Sequence, residues 1–278
     1  MAGRGAASAL ESQHDISLSN PAQWTGINGL RLQGGGLFEF EQYSKGSNLA
    51  YGSTIIKGFK FALPIEESMR LRIVTGFLPV SRVGYELRGT GAVNGETYRA
   101  DYTGSGGVSQ FSFGAAFKPA SFLSLGASYR FLFGTIEREQ HVVFDNATLF
   151  GSTQRQITSH NGSGFTVGAL FAIPSLLEDL SIGVSVSPAM SLSATRNYTF
   201  RYSTHDSTVA GESGTQDIPL RFSLGVSQRI GKRLLAAIDY SSQDWNNAIV
   251  FDGVPGNLTA TTRFGAGLEW QNNDPDLP

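Results

Sequence analysis

The chain has 278 residues, no cysteine, 34 glycines, 16% charged residues and a formal net charge of −2. This balance excludes the basic surface of a nucleic-acid-binding protein. The absence of cysteine excludes a disulfide scaffold and a thiolate metal site, and no apolar run of 18 residues is available for a membrane-spanning helix.

The first 27 residues do not alternate, and they contain the turn signal Asn20-Pro21-Ala22 directly before the first strand. We predict that residues 1–27 form a short segment, including a helical turn, inside a barrel rather than in its wall. Met1 is not followed by the apolar core of a secretory signal. Because this signal is missing and because Asn272–Pro278 resembles a turn, we expect the chain to be a fragment at both ends.

From residue 28 onward, ten segments alternate with a period of two, which is typical of β-strands because successive side chains point to opposite faces. The turns between them alternate between short and long, as in an antiparallel meander. The short turns are predicted at 64–67, 119–121, 174–179 and 231–232, and the longer loops at 86–106, 145–153, 203–215 and 252–256.

The most regular segment is Leu180–Tyr202, which has apolar residues on one face and small polar residues on the other. At about 3.3 Å per residue this strand would reach roughly 70 Å. A strand needs only about 9–11 residues to cross a bilayer. The pattern predicts an all-β fold, a transmembrane antiparallel meander β-barrel over residues 28–278, with its apolar face toward lipid. A mean hydropathy near zero is expected for such alternation.

A set of charged residues falls on the inward face of the predicted strands. In a globular core such charges would have to be paired, whereas in a lumen they can meet water or line a permeation path. They can equally serve to hold the inner segment in place, and the sequence leaves both roles open. The set is Arg31, Glu39, Glu41, Arg70, Arg72, Arg130, Arg221, Asp239, Arg263 and Glu269.

Two features that invite an enzymatic interpretation have simpler explanations. The cluster Gly34-Gly35-Gly36 lacks the helix and the Lys-Ser/Thr of a phosphate loop, so bends in the wall explain it better. The four histidines, His14, His141, His160 and His205, have no metal-ligand spacing. We therefore predict no catalytic residue, no metal and no cofactor.

Several passages resemble the FadL-type family of outer-membrane long-chain fatty-acid transporters. They are Asn20-Pro21-Ala22 after a Gly/Ala-rich start, Gly104–Phe117, and Ile218–Val226 leading to Asp239-Tyr240 and Asp244-Trp245. The resemblance implies a 14-stranded barrel, of which this chain would lack about the last four strands. It also implies that Asn20, Pro21 and Ala22 belong to an N-terminal hatch that plugs the barrel.

The function expected from this resemblance is passive, hatch-gated transport of small hydrophobic compounds, such as long-chain fatty acids, across the bacterial outer membrane. The expected partners are those compounds and outer-membrane lipid, with no nucleic acid. Two alternatives remain. One is a barrel component or anchor of a protein secretion system, with a protein partner bound through the extracellular loops. The other is a general polar-solute porin.

Overall fold

The computed structural model describes residues 8–11, 15–44, 48–173, 180–202, 206–231 and 233–270. The described residues contain one 3₁₀ turn, Pro21–Gly26, and fourteen strands. In chain order the strands are β1 (Arg31–Ser44), β2 (Asn48–Glu66), β3 (Leu71–Val93), β4 (Glu96–Ala120), β5 (Leu123–Phe144), β6 (Ser152–Ile173), β7 (Leu180–Ser187), β8 (Met190–Tyr202), β9 (Asp206–Ile218), β10 (Arg221–Ile230), β11 (Leu234–Gln243), β12 (Ile249–Phe251), β13 (Val254–Pro255) and β14 (Thr261–Trp270).

Ten strands form one antiparallel path in the order β1-β2-β3-β4-β5-β6-β7-β10-β11-β14, which confirms the predicted all-β antiparallel class. The β8–β9 hairpin pairs with the N-terminal half of β6, while β12 and β13 form a separate small hairpin. In the described residues the path does not join β14 back to β1. The chain therefore forms a half-barrel of antiparallel strands.

The sheet curls around residues 8–11 and 15–27, which we call the inner segment. The Ser8 backbone N–H donates to Asp239 on β11, and the Ile16 N–H donates to Gln33 on β1. These two strands are eight spacings apart in the path, or about 38 Å on a flat sheet. The eight Cα–Cα steps from Ser8 to Ile16 reach at most about 29 Å, so both contacts require a curved sheet.

Each strand has an inner face, which contacts the inner segment, and an outer face, which is apolar and exposed. On the outer face, register places Phe59, Phe77, Phe111 and Phe131 side by side on β2, β3, β4 and β5. The first two rings stack with centroids 5.7 Å apart. A broad apolar surface of this kind is larger than a water-soluble monomer normally exposes. Its exposed members include Leu32, Phe40, Phe113, Tyr129, Phe165, Val226, Ile238, Phe264, Leu268 and Trp270.

Residues 86–106, for which the sequence predicts a long glycine-rich connection with at most a short hairpin at its tip, are strand except for the turn at Asn94 and Gly95. β3 and β4 pair without interruption from Ser81 and Val108 to Val93 and Glu96. Asn94 and Gly95, both with positive φ (52° and 83°), form the two-residue turn that joins them. The prediction was wrong because a glycine-rich composition weakens the strand signal even where the backbone is paired.

We expect Gly95→Val to loosen this hairpin tip, because a β-branched residue strongly disfavours the positive φ that the turn requires. The cost should be about 1 kcal/mol, confined to the end of β3 and β4. Amide hydrogen exchange should therefore rise around Val93 and Glu96 while Phe77 and Phe111 keep their protection. Equal exchange rates in the variant and the wild type would contradict the role given to this turn.

Beyond a β-bulge at Val80 the polarity of the two faces is reversed. Register steps from Pro79↔Ser109 to Ser81↔Val108, so one extra residue lies on β3. Past the bulge, the inner face carries Val83, Tyr85, Leu87, Tyr98, Tyr102, Val142 and Phe144, and Tyr85 and Leu87 are 40% and 61% exposed.

The outer face becomes charged in the same region, which we call the projection (residues 81–107 of β3 and β4). Arg88 donates to Asp101 over 2.7 Å, and this hydrogen bond holds the pKa of the Asp101 carboxyl below its usual range. On the adjoining strands Arg155 donates to Glu137. The outer face of the projection therefore suits water, whereas its inner face does not.

The long strand predicted at Leu180–Tyr202 is broken in the structure. It divides at Pro188-Ala189 into β7, which pairs with β10, and β8, which pairs with β9. The following strand divides in the same way at Pro219-Leu220. Proline lacks the N–H that a ladder needs, so the two prolines allow the β8–β9 hairpin to leave the main path.

The region predicted as a polar loop at 203–215 is also strand from Asp206 onward, because β9 pairs with β8 through its backbone. After it, β11 ends at Gln243, and β12 forms a hairpin with β13. The predicted turn at 174–179 lies outside the described residues.

Candidate functional site

Asn20 is fully buried and links the inner segment to the sheet. Its side-chain NH₂ donates to the carbonyl oxygens of Ser8 (2.8 Å) and of Ala169 on β6 (3.3 Å). Its side-chain oxygen accepts from the Ala22 N–H at 3.1 Å and thereby caps the 3₁₀ turn. Asparagine followed by proline suits this position, since proline needs no N–H partner at the start of a helical turn.

The remainder of the turn fills an apolar pocket against the inner face. Trp24 is 1% exposed, packs with Ile16 and Ile27, and contacts the strands through Ala62, Val74 and Ala116. Its indole N–H donates to the Ser17 carbonyl oxygen at 2.5 Å. Burying an indole of this size stabilises a docked segment by about 2–3 kcal/mol.

Four glycines on neighbouring strands form a flat track beneath the inner segment. Gly126 and Gly168 face each other on β5 and β6, and Gly183 and Gly225 face each other on β7 and β10. A Cβ at Gly126 would overlap Pro21 and Ala22, and a Cβ at Gly168 would overlap the Asn20 side chain. A Cβ at Gly183 or at Gly225 would overlap Ser8. Glycine is required here because the two backbones approach too closely for any side chain.

Charged side chains hold the segment at three further points. Arg72 of β3, which is fully buried, donates from Nε to the Ile27 carbonyl oxygen at 2.7 Å and from Nη1 to the Glu66 carbonyl oxygen at 3.0 Å. Lys60 of β2 donates to the Ile16 carbonyl oxygen. Asp239 of β11 accepts from the Ser8 N–H with both carboxylate oxygens, at 3.0 and 2.9 Å.

The other charges predicted to face inward are distributed as follows. Arg31 and Glu39 lie on the Gln33 side of β1, and Arg70 lies in the turn before β3 with a positive φ of 48°. The side chain of Glu41 lies outside the described residues. By register, Arg130, Arg221, Arg263 and Glu269 share the inner face with the glycine track.

A cavity of about 460 Å³ lies where Pro188-Ala189 and Pro219-Leu220 interrupt the wall, a place that we call the wall break. Its volume falls in the range of about 300–1,000 Å³ that holds small molecules in proteins. Gln243, which precedes the lining residue Asp244, donates to the Pro219 carbonyl oxygen at 2.9 Å. The cavity is lined by Ala189, Met190, Ser191, Asp217, Ile218, Pro219, Asp244, Asn247 and Ala248.

An apolar cluster on the inner face adjoins this cavity. Val108, Leu132 and Leu192 are at most 8% exposed, and Met190 and Ile218 of the cavity wall pack against them. Met190 lies over Gly164, where a Cβ would overlap its sulfur atom. Methionine suits an apolar surface that must accept varied shapes, because its side chain is unbranched and flexible.

Neither a membrane-crossing helix nor a metal site occurs among the described residues. No helix there is long and apolar enough to cross a membrane, and no three His, Asp or Glu side chains there converge as metal ligands would. His160, on the inner face, lies near Arg138 and Arg196.

The sequence profile of the BamG family matches residues 2–262, which is most of the chain and includes the inner segment, the glycine track and the wall break. The chain belongs to the BamG family. No curated protein sequence shows significant similarity to this chain.

Three solved structures share the fold of this BamG chain. The toluene transporter TodX of Pseudomonas putida is 14% identical with a TM-score of 0.59, and the match covers 98% of this chain and 80% of TodX. The toluene transporter TbuX of Ralstonia pickettii is 15% identical with a TM-score of 0.57, and the match covers 92% of this chain and 77% of TbuX. The monoaromatic hydrocarbon channel CymD is 13% identical with a TM-score of 0.59, and the match covers 97% of this chain and 77% of CymD. At these identities the likeness establishes the barrel fold alone. The predicted resemblance to FadL-type transporters thus holds at the level of fold.

The wall break was missed in the sequence analysis. The alternation over Leu180–Tyr202 continues through Pro188, so the pattern alone indicated one strand. The available signal was the pair Pro188 and Pro219, since two prolines inside two successive strands mark a place where ladder hydrogen bonds are lost.

Proposed function

We propose that this BamG protein carries small hydrophobic compounds across the bacterial outer membrane by passive diffusion, with long-chain fatty acids among the compounds that fit. The cavity at the wall break is the observation that carries the proposal. Its walls include the apolar side chains of Met190, Ile218 and Pro219. It adjoins the inner-face cluster of Val108, Leu132 and Leu192, and it opens where the ladder between neighbouring strands is interrupted. A hydrophobic molecule can leave the wall sideways there without crossing an intact sheet.

The inner segment is the hatch in this proposal. Asn20 and Trp24 fix it to the inner face, and it lies directly on the strands whose other ends form the wall break. Gating consists of a shift of this segment, so Asn20, Pro21 and Ala22 act as hatch residues. The exposed apolar outer face sits in lipid, and the projection, being charged on its outer side, extends into water.

Filling the cavity tests this proposal. Two separate variants, Ile218→Trp and Met190→Trp, should each reduce the uptake of toluene and of a fatty acid into protein-containing vesicles. The expected reduction is about tenfold or more, equivalent to about 1.4 kcal/mol. Val226→Trp, on the exposed outer face, is the matched control and should leave uptake unchanged.

Uptake that is unaffected by both cavity variants would overturn the route through the wall break. Steady ion conductance of the wild type in planar bilayers would instead support a general polar-solute porin. The many hydrogen bonds that hold the inner segment to the sheet disfavour that function.

One observation favours a second function, as the barrel component of a secretion machine. Tyr85, Leu87 and Tyr102 on the inner side of the projection are exposed and apolar, far from the cavity. In this case a protein partner covers them. A photo-crosslinking residue at Leu87 should then capture a single protein in intact cells, whereas the same residue at Arg82 on the opposite side should not.

A further inference from the structure

Three arginines lie on the inner face beside the wall break. Arg130 of β5 is paired by register with Gly164, the residue over which Met190 of the cavity wall lies. Arg221 begins β10 immediately after the break and is paired with Ser187. Arg263 of β14 is opposite Ser241, two residues from the Gln243 that is paired with Arg221. The three arginines therefore lie on the inner face near the wall break, although the cavity itself is lined by other residues.

These arginines are close enough to oppose one another electrostatically. Arg221 lies between the other two and repels both. Arg130 makes one hydrogen bond, from Nη2 to the Phe165 carbonyl oxygen at 3.4 Å, and its Nε is buried without a partner. Across the described residues, no carboxylate forms an ion pair with any of the three. Holding like charges together without a counter-ion costs free energy, and a bound anion would remove that cost.

The carboxylates of the cavity do not meet this need, because their hydrogen bonds go to other groups. Asp217 accepts from Ser191 Oγ at 2.7 Å and from the Ile249 N–H at 3.3 Å. Asp244 accepts from the Asn246 N–H at 3.0 Å. Since the charged residues of the cavity lining are acidic, an elongated anionic ligand would place its charged end at the arginines and its apolar body in the cavity.

Resting on the proposed function, we propose that Arg130, Arg221 and Arg263 bind a doubly charged tetrahedral oxyanion of the phosphate monoester type, while the apolar body of the ligand occupies the cavity. Three guanidinium groups supply more positive charge than one carboxylate neutralises, and their forked donors match phosphate oxygens. A phosphate monoester carries close to two negative charges above pH 7. The ligand class is thus a phosphorylated amphiphile or free phosphate.

The test is equilibrium binding to the full chain in lipid nanodiscs at pH 8. The probes are dodecyl phosphate, its methyl ester, which has one charge fewer, and dodecanol, with inorganic phosphate as competitor. We expect dodecyl phosphate to bind at least tenfold more tightly than its methyl ester. Arg221→Gln and Arg130→Gln should each weaken dodecyl phosphate about tenfold while leaving dodecanol unchanged. Arg82→Gln, an exposed arginine of the projection, is the matched control and should have no effect.

Equal affinities for the monoester and the methyl ester, or loss of binding in Arg82→Gln as well, would overturn the site. Competition by inorganic phosphate at concentrations close to those of dodecyl phosphate would assign the site to free phosphate rather than to an amphiphile head group. If dodecanol does not bind at all while dodecyl phosphate does, the arginine site stands and the transport function fails.

Discussion

Alanine in place of Gly168 is expected to displace the inner segment, because its methyl group would occupy the space that holds the Asn20 side chain and the Pro21 ring. Asn20 would lose its hydrogen bond to the Ala169 carbonyl oxygen, and overpacking at such a contact costs about 1–3 kcal/mol. The segment should therefore open about 10- to 100-fold more often.

Amide hydrogen exchange of residues 20–27 measures that opening directly. Gly89→Ala is the matched control, since a Cβ there meets nothing within 4 Å and the backbone of β3 continues unchanged. Unaltered protection of residues 20–27 in Gly168→Ala would show that the glycine track does not seat the segment. In the transport proposal the same variant should also raise passive uptake in vesicles.

Arg72→Met is expected to weaken the attachment of the segment and the turn between β2 and β3 together. The fully buried guanidinium group donates to the carbonyl oxygens of Ile27, Glu66 and Leu71, and each loses a donor in the variant. The bond to Ile27 is buried and the other two are partly buried. A buried acceptor without a partner costs about 1–3 kcal/mol, so the total should reach about 2–4 kcal/mol. The ion pair with Glu67 adds little, since that carboxylate is largely exposed.

Urea unfolding in lipid vesicles, followed by tryptophan fluorescence, gives the free energy of unfolding of each variant. Arg70→Met provides the control, because Arg70 is two residues away, exposed, and outside the β3 ladder. A similar loss of stability in both variants would mean that Arg72 has no particular role. Arg72→Lys should recover only part of the loss, since an ammonium group cannot reproduce the planar fork.

The strands of the sheet were largely predictable because their alternation is a local property of the sequence. Phe111, Phe113 and Leu224 alternate with small residues, and each lies on the outer face as the pattern requires. The strands of the projection escaped prediction because the Val80 bulge shifts the phase of β3 by one residue. Glycine and serine there also carry little signal, although their backbones are fully paired.

The candidate site was less predictable because it depends on residues far apart in the sequence. Asn20 was singled out for its turn signal, but its contact with Ala169 is set by the curvature of the whole sheet. Gly126, Gly168 and Gly183 are ordinary strand glycines in the sequence. Only the register of β5, β6 and β7 brings them together beneath the segment.

The bulge at Val80 also constrains how the length of this hairpin can vary during evolution. Because Pro79 and Ser81 pair with consecutive residues of β4, Ser109 and Val108, deleting Val80 alone would leave a regular ladder with Tyr85 and Leu87 on the same side of the sheet. Deleting one residue between Arg82 and Val93 would instead turn the later side chains of β3 to the opposite side, since side chains alternate with a period of two. Natural variants of β3 should therefore lose Val80 alone, or gain or lose residues beyond it in even numbers.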